Sequence, residues 1–466
     1  MTVRLRGLTW DHPRGYLVLD ALANALAPAV TVRWHRQPLA DFESRPLRTL
    51  ADDYDLLVID HPGLGEAVRD GALRPLDDIA GSAELAQWRT AAIGASFASY
   101  TLAGRQWALP LDAAAQVSAC RPDLMTDRPA SWAQARQAVR SVRSTLCLGG
   151  PHALLMFSAI CLADGTRPAS AAAPPEPAPP ERTPARGAFH PAASEHGPGS
   201  GEFDPAASDH GPAASEFDPA GGEHGPPGGE GTPTGGGCVP AGGEFVPAAA
   251  GVAALEVMAD LLAHADRDLS PADPIDVLNA MAAPDGPAYC PLVYGYLTYQ
   301  RPATPGRGDG VRTRRRPAAR WADPALPHRL AAFDAPAGPG GIGSVLGGTG
   351  LAVTRSCAGK GATAAAAAQL GLLISEPVQT RVFAQLGGQS ATRRAWHDPI
   401  VDRASGGFYR ATRASVERAW VRPRFPGYPA FQLAASAVLR DGLLAGEPHG
   451  ALVGKVNELF ARAFRA

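Results

Sequence analysis

Two short clusters near the start of the chain set a carboxylate beside an imidazole: Trp10-Asp11-His12 and Asp60-His61. A histidine next to a carboxylate can serve as a general base or a metal ligand, and it can equally hydrogen-bond the hydroxyls of a bound solute. Far along the chain, tyrosines at 294, 296 and 299 close the run that begins at Gly286. Alternate residues of an extended chain share a face, so Tyr294 and Tyr296 are expected to point the same way and form an aromatic wall. A glycine cluster, Gly347-Gly348-Thr349-Gly350, then leads into Leu351-Ala352-Val353. There the backbone can approach a ligand or another strand closely, as at a crossing between two lobes. A core strand followed by an ordinary turn accounts for the same residues equally well.

The elements that must carry these groups follow from the hydrophobic pattern. Residues 3–10 read as a first strand. Leu17, Leu19, Leu22 and Leu26 mark a helix, and residues 30–34 a second strand. Residues 54–62 are apolar through their middle, as in a strand covered on both faces. This β-α-β alternation predicts an α/β domain with a largely parallel sheet, in which ligands bind beyond the carboxyl ends of strands. Both Trp10-Asp11-His12 and Asp60-His61 fall at such ends. Ser131 and Gln134 are spaced as a capping box opening a helix at Trp132, and 146–163 reads as a mostly apolar helix. Further helices are expected near 252–265, 274–281, 362–374 and 376–386, with two or three more between 411 and 466.

At 466 residues the chain is expected to form two domains, and a net charge of −2 gives no footprint for nucleic acid or an anionic membrane. No apolar run is long enough to span a bilayer. The six cysteines contain no Cys-x-x-Cys pair, so neither a disulfide framework nor a zinc site is expected. Gly-x-Ser-x-Gly, His-Glu-x-x-His and the phosphate-cradling Gly-x-x-x-x-Gly-Lys are missing from the sequence. The cluster at 347–350 lacks the strand-to-helix setting of a dinucleotide fingerprint, so no cofactor is expected. With no export signal recognisable after Met1, the cytoplasm is the simplest compartment.

Between about 166 and 250 the composition shifts to Ala, Pro, Gly, Glu and His in an imperfect repeat: Phe189, Phe203 and Phe217 are fourteen apart, as are His196, His210 and His224. One phenylalanine per repeat cannot offset the entropy of ordering such a chain, so a disordered insertion is expected. Its periodic histidines are at most a weak metal site, and expansion of a surface loop explains them better. Residues 301–325, rich in Arg and Pro, read as a second, solvated loop.

The order of pieces resembles the extracellular solute-binding proteins of ABC importers, in particular the maltose-binding-like group that takes carbohydrates. Gln106-Trp107-Ala108-Leu109-Pro110, followed by Arg121-Pro122-Asp123-Leu124 and Pro129-Ala130-Ser131-Trp132, is similar to that family's first crossing and the helix after it. Asp285 through Tyr296 resembles the segment bearing its ligand-stacking aromatic, and Gly348 through Val353 its return crossing. Ser375 through Gln379, with Leu386-Gly387-Gly388-Gln389-Ser390, and Arg422 through Tyr428 match later segments.

The resemblance implies a two-lobed periplasmic-binding-protein-like α/β fold (type II). One lobe would take 1–109 and 351–405, the other 110–165, 251–350 and 406–466. A hinge would close these lobes on a ligand. It implies a small-molecule ligand, a sugar or a similar polar compound, and a monomeric protein. The binding residues would be Trp10, Asp11, His12, Asp60, His61, Asp112, Tyr294 and Tyr296, with Gly348, Trp132, Trp420 and Arg422 as secondary candidates. Packing explains Trp132 and Trp420 as readily, and a helix cap explains Asp112. An ABC permease partner follows only if the chain is exported; a cytoplasmic relative would bind a metabolite or use His12, His61 and Asp60 for acid–base catalysis.

Overall fold

The computed structural model describes residues 2–38, 41–42, 45–168, 243–300 and 327–465. The repeats of the expected insertion and the Arg/Pro-rich loop lie outside these residues.

The first strand, β1 (Val3–Trp10), runs into helix α1 (Pro13–Leu22). Proline at the first helical position costs the helix no hydrogen bond, and the His12 side chain accepts from the Arg14 amide to cap it. The helix stops at Leu22, so Leu26 belongs to the turns that follow. Strands β2 (Val30–Gln37) and β3 (Leu56–Ile59) precede helix α2 (Leu64–Arg69), β4 (Leu73–Arg74), helix α3 (Ser82–Ala91) and β5 (Ala108–Pro110). Next come β6 (Ala114–Cys120), α4 (Trp132–Ser141), β7 (Ser144–Thr145) and α5 (His152–Ala163). Ser131 caps α4 as expected, but Gln134 reaches back to the Ala130 amide, one residue before the cap. Helix α5 begins later than the apolar run suggests, because Gly149-Gly150-Pro151 turns the chain just ahead of it; Gly150 has φ of +50°. Apolar all round, α5 is buried all round.

Helix α6 (Ala248–His264) starts earlier than expected. Phe245 and Val246 are already in the core, and the side chain of Asn457 holds both their amides. The chain continues through β8 (Ala265–Asp266), α7 (Pro274–Ala282), β9 (Tyr289–Tyr294), β10 (Ala331–Phe333), β11 (Leu346–Gly347), β12 (Gly350–Thr354) and α8 (Lys360–Ile374). It ends in α9 (Phe408–Arg418), α10 (Tyr428–Ala445) and α11 (His449–Arg465).

The strands form two sheets, each with its own hydrophobic core, in a two-lobed α/β binding-protein architecture. The first sheet has the order β2-β1-β3-β12-β4, with β5 also on β12; the second has β8-β7-β9-β6-β10, with β11 also on β6. In the first sheet β2, β1 and β3 pair in parallel, and β12 pairs antiparallel with β3, β4 and β5, so that β12 alone runs against the others. The expected largely parallel sheet holds for strand direction, broken by the one reversed strand β12. That strand arrives from some 290 residues further along the chain. The chain passes from one sheet to the other between β5 and β6 and returns between β11 and β12. A mixed cluster of Ile93, Ala113, Leu297, Trp396 and Phe408 lies beside these crossings.

Candidate functional site

Where β1 and β3 end, they face the tip of β9, and a cleft opens between them. It holds about 530 Å³ of open space, its mouth included. The first lobe contributes Trp10, Arg14, Phe42 and Asp60. The second contributes Pro151, His152, Leu155, Tyr294, Tyr296 and Arg422, and the crossings contribute Ala114, Gly347, Gly348 and Thr349.

Trp10, the last residue of β1, lies nearly parallel to the His12 ring at 4.8 Å and 6.0 Å from Phe42. Its indole edge rests on Gly15 in α1, where a Cβ would come within 2.3 Å of Nε1. From the second residue of α1, the guanidinium of Arg14 sits 4.7 Å above the Tyr296 ring, and its Nε lies 2.7 Å from the Asp112 carboxylate. Asp112 also accepts from the Thr349 amide at 2.6 Å and the Thr349 hydroxyl at 2.9 Å, so one carboxylate ties both crossings together. Gly348 makes this possible: its φ is +96°, and a Cβ there would stand 2.6 Å from the Asp112 carbonyl oxygen.

On the opposite wall the Tyr294 hydroxyl donates to the Leu346 carbonyl, which presses the ring against Gly347. His152, the first residue of α5, meets Tyr294 edge-on at 5.7 Å. Its Nε2 has no hydrogen-bond partner among the described residues. Burial, then the charge of Arg422, pushes the His152 imidazole down to about 3, so it is neutral at physiological pH. The amides in the first turn of α5 are all occupied. Those of Ala153 and Leu154 donate to Ser436 of α10, and those of His152 and Leu155 to Gly149 and Pro151 carbonyls.

Asp60 follows β3 and caps the turn at His61–Gly63. Both its oxygens accept from Nη2 of Arg422, at 2.9 and 2.8 Å, and the ion pair joins the two lobes. Burial alone would raise this carboxyl, but the charge of Arg422 and the hydrogen bonds from His61 and Arg422 outweigh it and hold it well below the usual carboxylate range. The Arg422 guanidinium is correspondingly held above its ordinary value by Asp60 despite its burial. Beyond this pair a second opening of about 660 Å³ shares Phe42, Asp60, Pro151 and Arg422 with the first. The ion pair thus stands as a partition.

Of the residues picked out from sequence, Trp10, Asp60, Tyr294, Tyr296, Gly348 and Arg422 meet at this cleft. The others do not line it. Asp11 turns outward to within 3.6 Å of Arg36. His12 is buried behind Trp10 with Nδ1 accepting from the Arg14 amide, and burial followed by Arg14 lowers it to about 3. His61 is sealed under Asp60 against the edge of Tyr100, and burial followed by Arg422 lowers it to about 4. Asp112 lies on the crossing between β5 and β6, bonded to Thr349, and Trp132 and Trp420 belong to the core of the second lobe. Sequence reasoning missed Arg14, Phe42, His152 and Thr349. The signal for Arg14 was its place one residue after the helix-opening Pro13; for His152 it was the Gly-Gly-Pro turn before it.

No set of three or more His, Cys, Asp or Glu among the described residues could hold a metal ion, and no described helix is long and apolar enough to cross a membrane. A wider hollow of about 1430 Å³ lies between α3, the end of α8 and residues 392–397, but its charged side chains Glu376, Arg393 and Arg394 are all more than half exposed. Its buried polar side chain, Thr392, is already bonded to Ser390.

Fold and cleft together define a bilobed binding-protein architecture. Solved structures share it across nearly the whole chain. A cyclic α-maltosyl-1,6-maltose binding protein from Arthrobacter globiformis is 14% identical with a TM-score of 0.66, covering 100% of both chains. An ABC transporter solute-binding protein from Thermotoga lettingae, bound with α-D-tagatose, is 12% identical with a TM-score of 0.67 over 99% of this chain and 100% of that one. The GacH receptor of Streptomyces glaucescens, solved unliganded and with acarbose, is 16% identical with a TM-score of 0.65 over 100% and 99%. No protein-family model and no curated protein sequence matches the chain.

Proposed function

We propose that this chain is a solute-binding protein that holds one small, uncharged, hydroxyl-rich compound, of the carbohydrate or polyol kind, between its lobes. The observation that carries the reading is the composition of the cleft. Its walls include the rings of Trp10, Phe42, Tyr294 and Tyr296, while its two arginines are already matched by Asp112 and Asp60. Aromatic faces suit the C–H side of a sugar ring, and a few fixed polar groups suit its hydroxyls. A charged solute would have to compete with an internal counter-ion. The solved neighbours named for a cyclic maltoside, tagatose and acarbose support the same reading.

An enzyme in this cleft would draw on His12, His61 and Asp60. Two of these do not line it and the third is committed to Arg422, which favours binding over turnover. The test is calorimetry and thermal shift against maltose, ribitol, D-tagatose and the matching sugar acids. A neutral member should raise the melting temperature by mass action, and Tyr294→Ala should abolish the shift. A response confined to the acids, or none across the panel, removes this reading.

A further inference from the structure

We infer that the two lobes clasp each other directly: the Asp60–Arg422 pair, backed by residues 422–427 laid along α2, holds the cleft shut through protein contacts alone, and solute enters only when that clasp parts. The inference deepens the solute-binding reading and rests on it for its consequence, but not for its test.

Arg422 is carried by the segment between α9 and α10. That segment is fixed to the second lobe, where the Trp420 amide donates to the Ser344 carbonyl and the Leu346 amide to the Trp420 carbonyl, each at 2.8 Å. Past Arg422 the segment runs onto the first lobe. The Arg424 guanidinium donates to the carbonyls of Ala98 and Thr101, and the Gly427 amide to the Glu66 carboxylate. Gly65 in α2 lies directly beneath: a Cβ there would come 1.8 Å from the Arg424 carbonyl oxygen. None of these contacts involves a solute, so each favours closure whatever fills the cleft.

The pair is also built to open. Only Nη2 of Arg422 is well bonded; Nη1 reaches Gln432 at 3.4 Å, and Nε has no partner among the described residues. The Asp60 side chain is 25% exposed, so water reaches it as the lobes separate. Because the pair divides the two openings, a solute long enough to span both must replace it.

The test is a spin-label distance measurement across the lobes, with labels at exposed Gln87→Cys and Glu458→Cys, on the full chain refolded from denaturant to strip any bound solute. The wild-type background should give one short distance with nothing added. Asp60→Asn should lower the closed-to-open ratio by about thirtyfold or more, the usual consequence of removing one member of a buried hydrogen-bonded charge pair. Gly65→Ala should do the same without touching charge, since alanine is welcome in a helix and leaves the lobe folded. The exchange Asp60→Arg with Arg422→Asp should recover the short distance. A wild-type chain that is open until solute is added, or an Asp60→Asn chain that stays closed, overturns the clasp while leaving solute binding intact. A clasp that behaves as described in a chain that binds no sugar or polyol overturns the functional reading instead.

Discussion

Two arginine–aspartate pairs stand at opposite ends of one cleft, and they do opposite jobs with the same chemistry. Arg14 and Asp112 are both at most 4% exposed in their side chains, and the spare lone pairs of Asp112 are taken by Thr349. Asp60 and Arg422 are 25% and 3% exposed, so here the carboxylate is open to water on one side. The difference teaches that how deeply the carboxylate is buried and held, more than charge, separates a permanent joint from a reversible one. A pair buried at both partners is costly to break, because the survivor is left charged and dry. A pair that can pull apart into solvent carries no such penalty.

That contrast can be broken in graded steps. Asp112→Ala should remove about 3–5 kcal/mol of stability, since it strands Arg14 and both Thr349 donors. Urea unfolding measures it, and a loss under 1 kcal/mol would contradict the permanent-joint account. Thr349→Val keeps shape and deletes one hydrogen bond to the carboxylate, so about 1.5–3 kcal/mol should go.

A pH series sharpens the picture next. Burial lowers His12 and His152 to about 3 and His61 to about 4, so the folded chain keeps these rings neutral. The unfolded chain protonates them near pH 6.5, so the stability they confer is full above that value and lost as pH falls, towards about 4 for His61 and about 3 for His12 and His152, by up to about 1.4 kcal/mol per pH unit for each ring. His152→Phe should flatten the slope by about a third, read from urea midpoints between pH 7 and pH 5. Asp60 stays ionised across this window, so the clasp does not contribute to it. Smallest of all, Asp60→Asn should cost only about 1 kcal/mol of global stability, because the lobes separate and hydrate Arg422 rather than unfold.

Much of this was legible in the chain. The ends of β1 and β3, the wall of Tyr294 and Tyr296, and the glycine crossing at 347–350 are local patterns, and local patterns survive folding. What escaped was non-local. Asp112 finds Thr349 across 237 residues, and Asp60 finds Arg422 across 362, pairings that no spacing announces. Residue type alone also misjudged Asp11, His12 and His61. A side chain at a strand end can face the cleft, the solvent or the interior, and Asp11 met Arg36 outside while the two rings packed within. The likeness to a known family placed Gly348 and Arg422 at the cleft, and it placed Trp420 there too, which instead packs in the second lobe's core.

Under the proposed solute-binding role, the capping of α5 by Ser436 bears on which solutes would be refused. A helix start with open amides is a natural seat for phosphate or carboxylate. Here the hydroxyl of a neighbouring helix and two nearby carbonyls have filled that seat from behind, so a phosphorylated metabolite arriving at His152 meets an uncharged ring and no bare N–H. Discrimination against the abundant anionic sugars of metabolism would then come from a serine that never touches the solute.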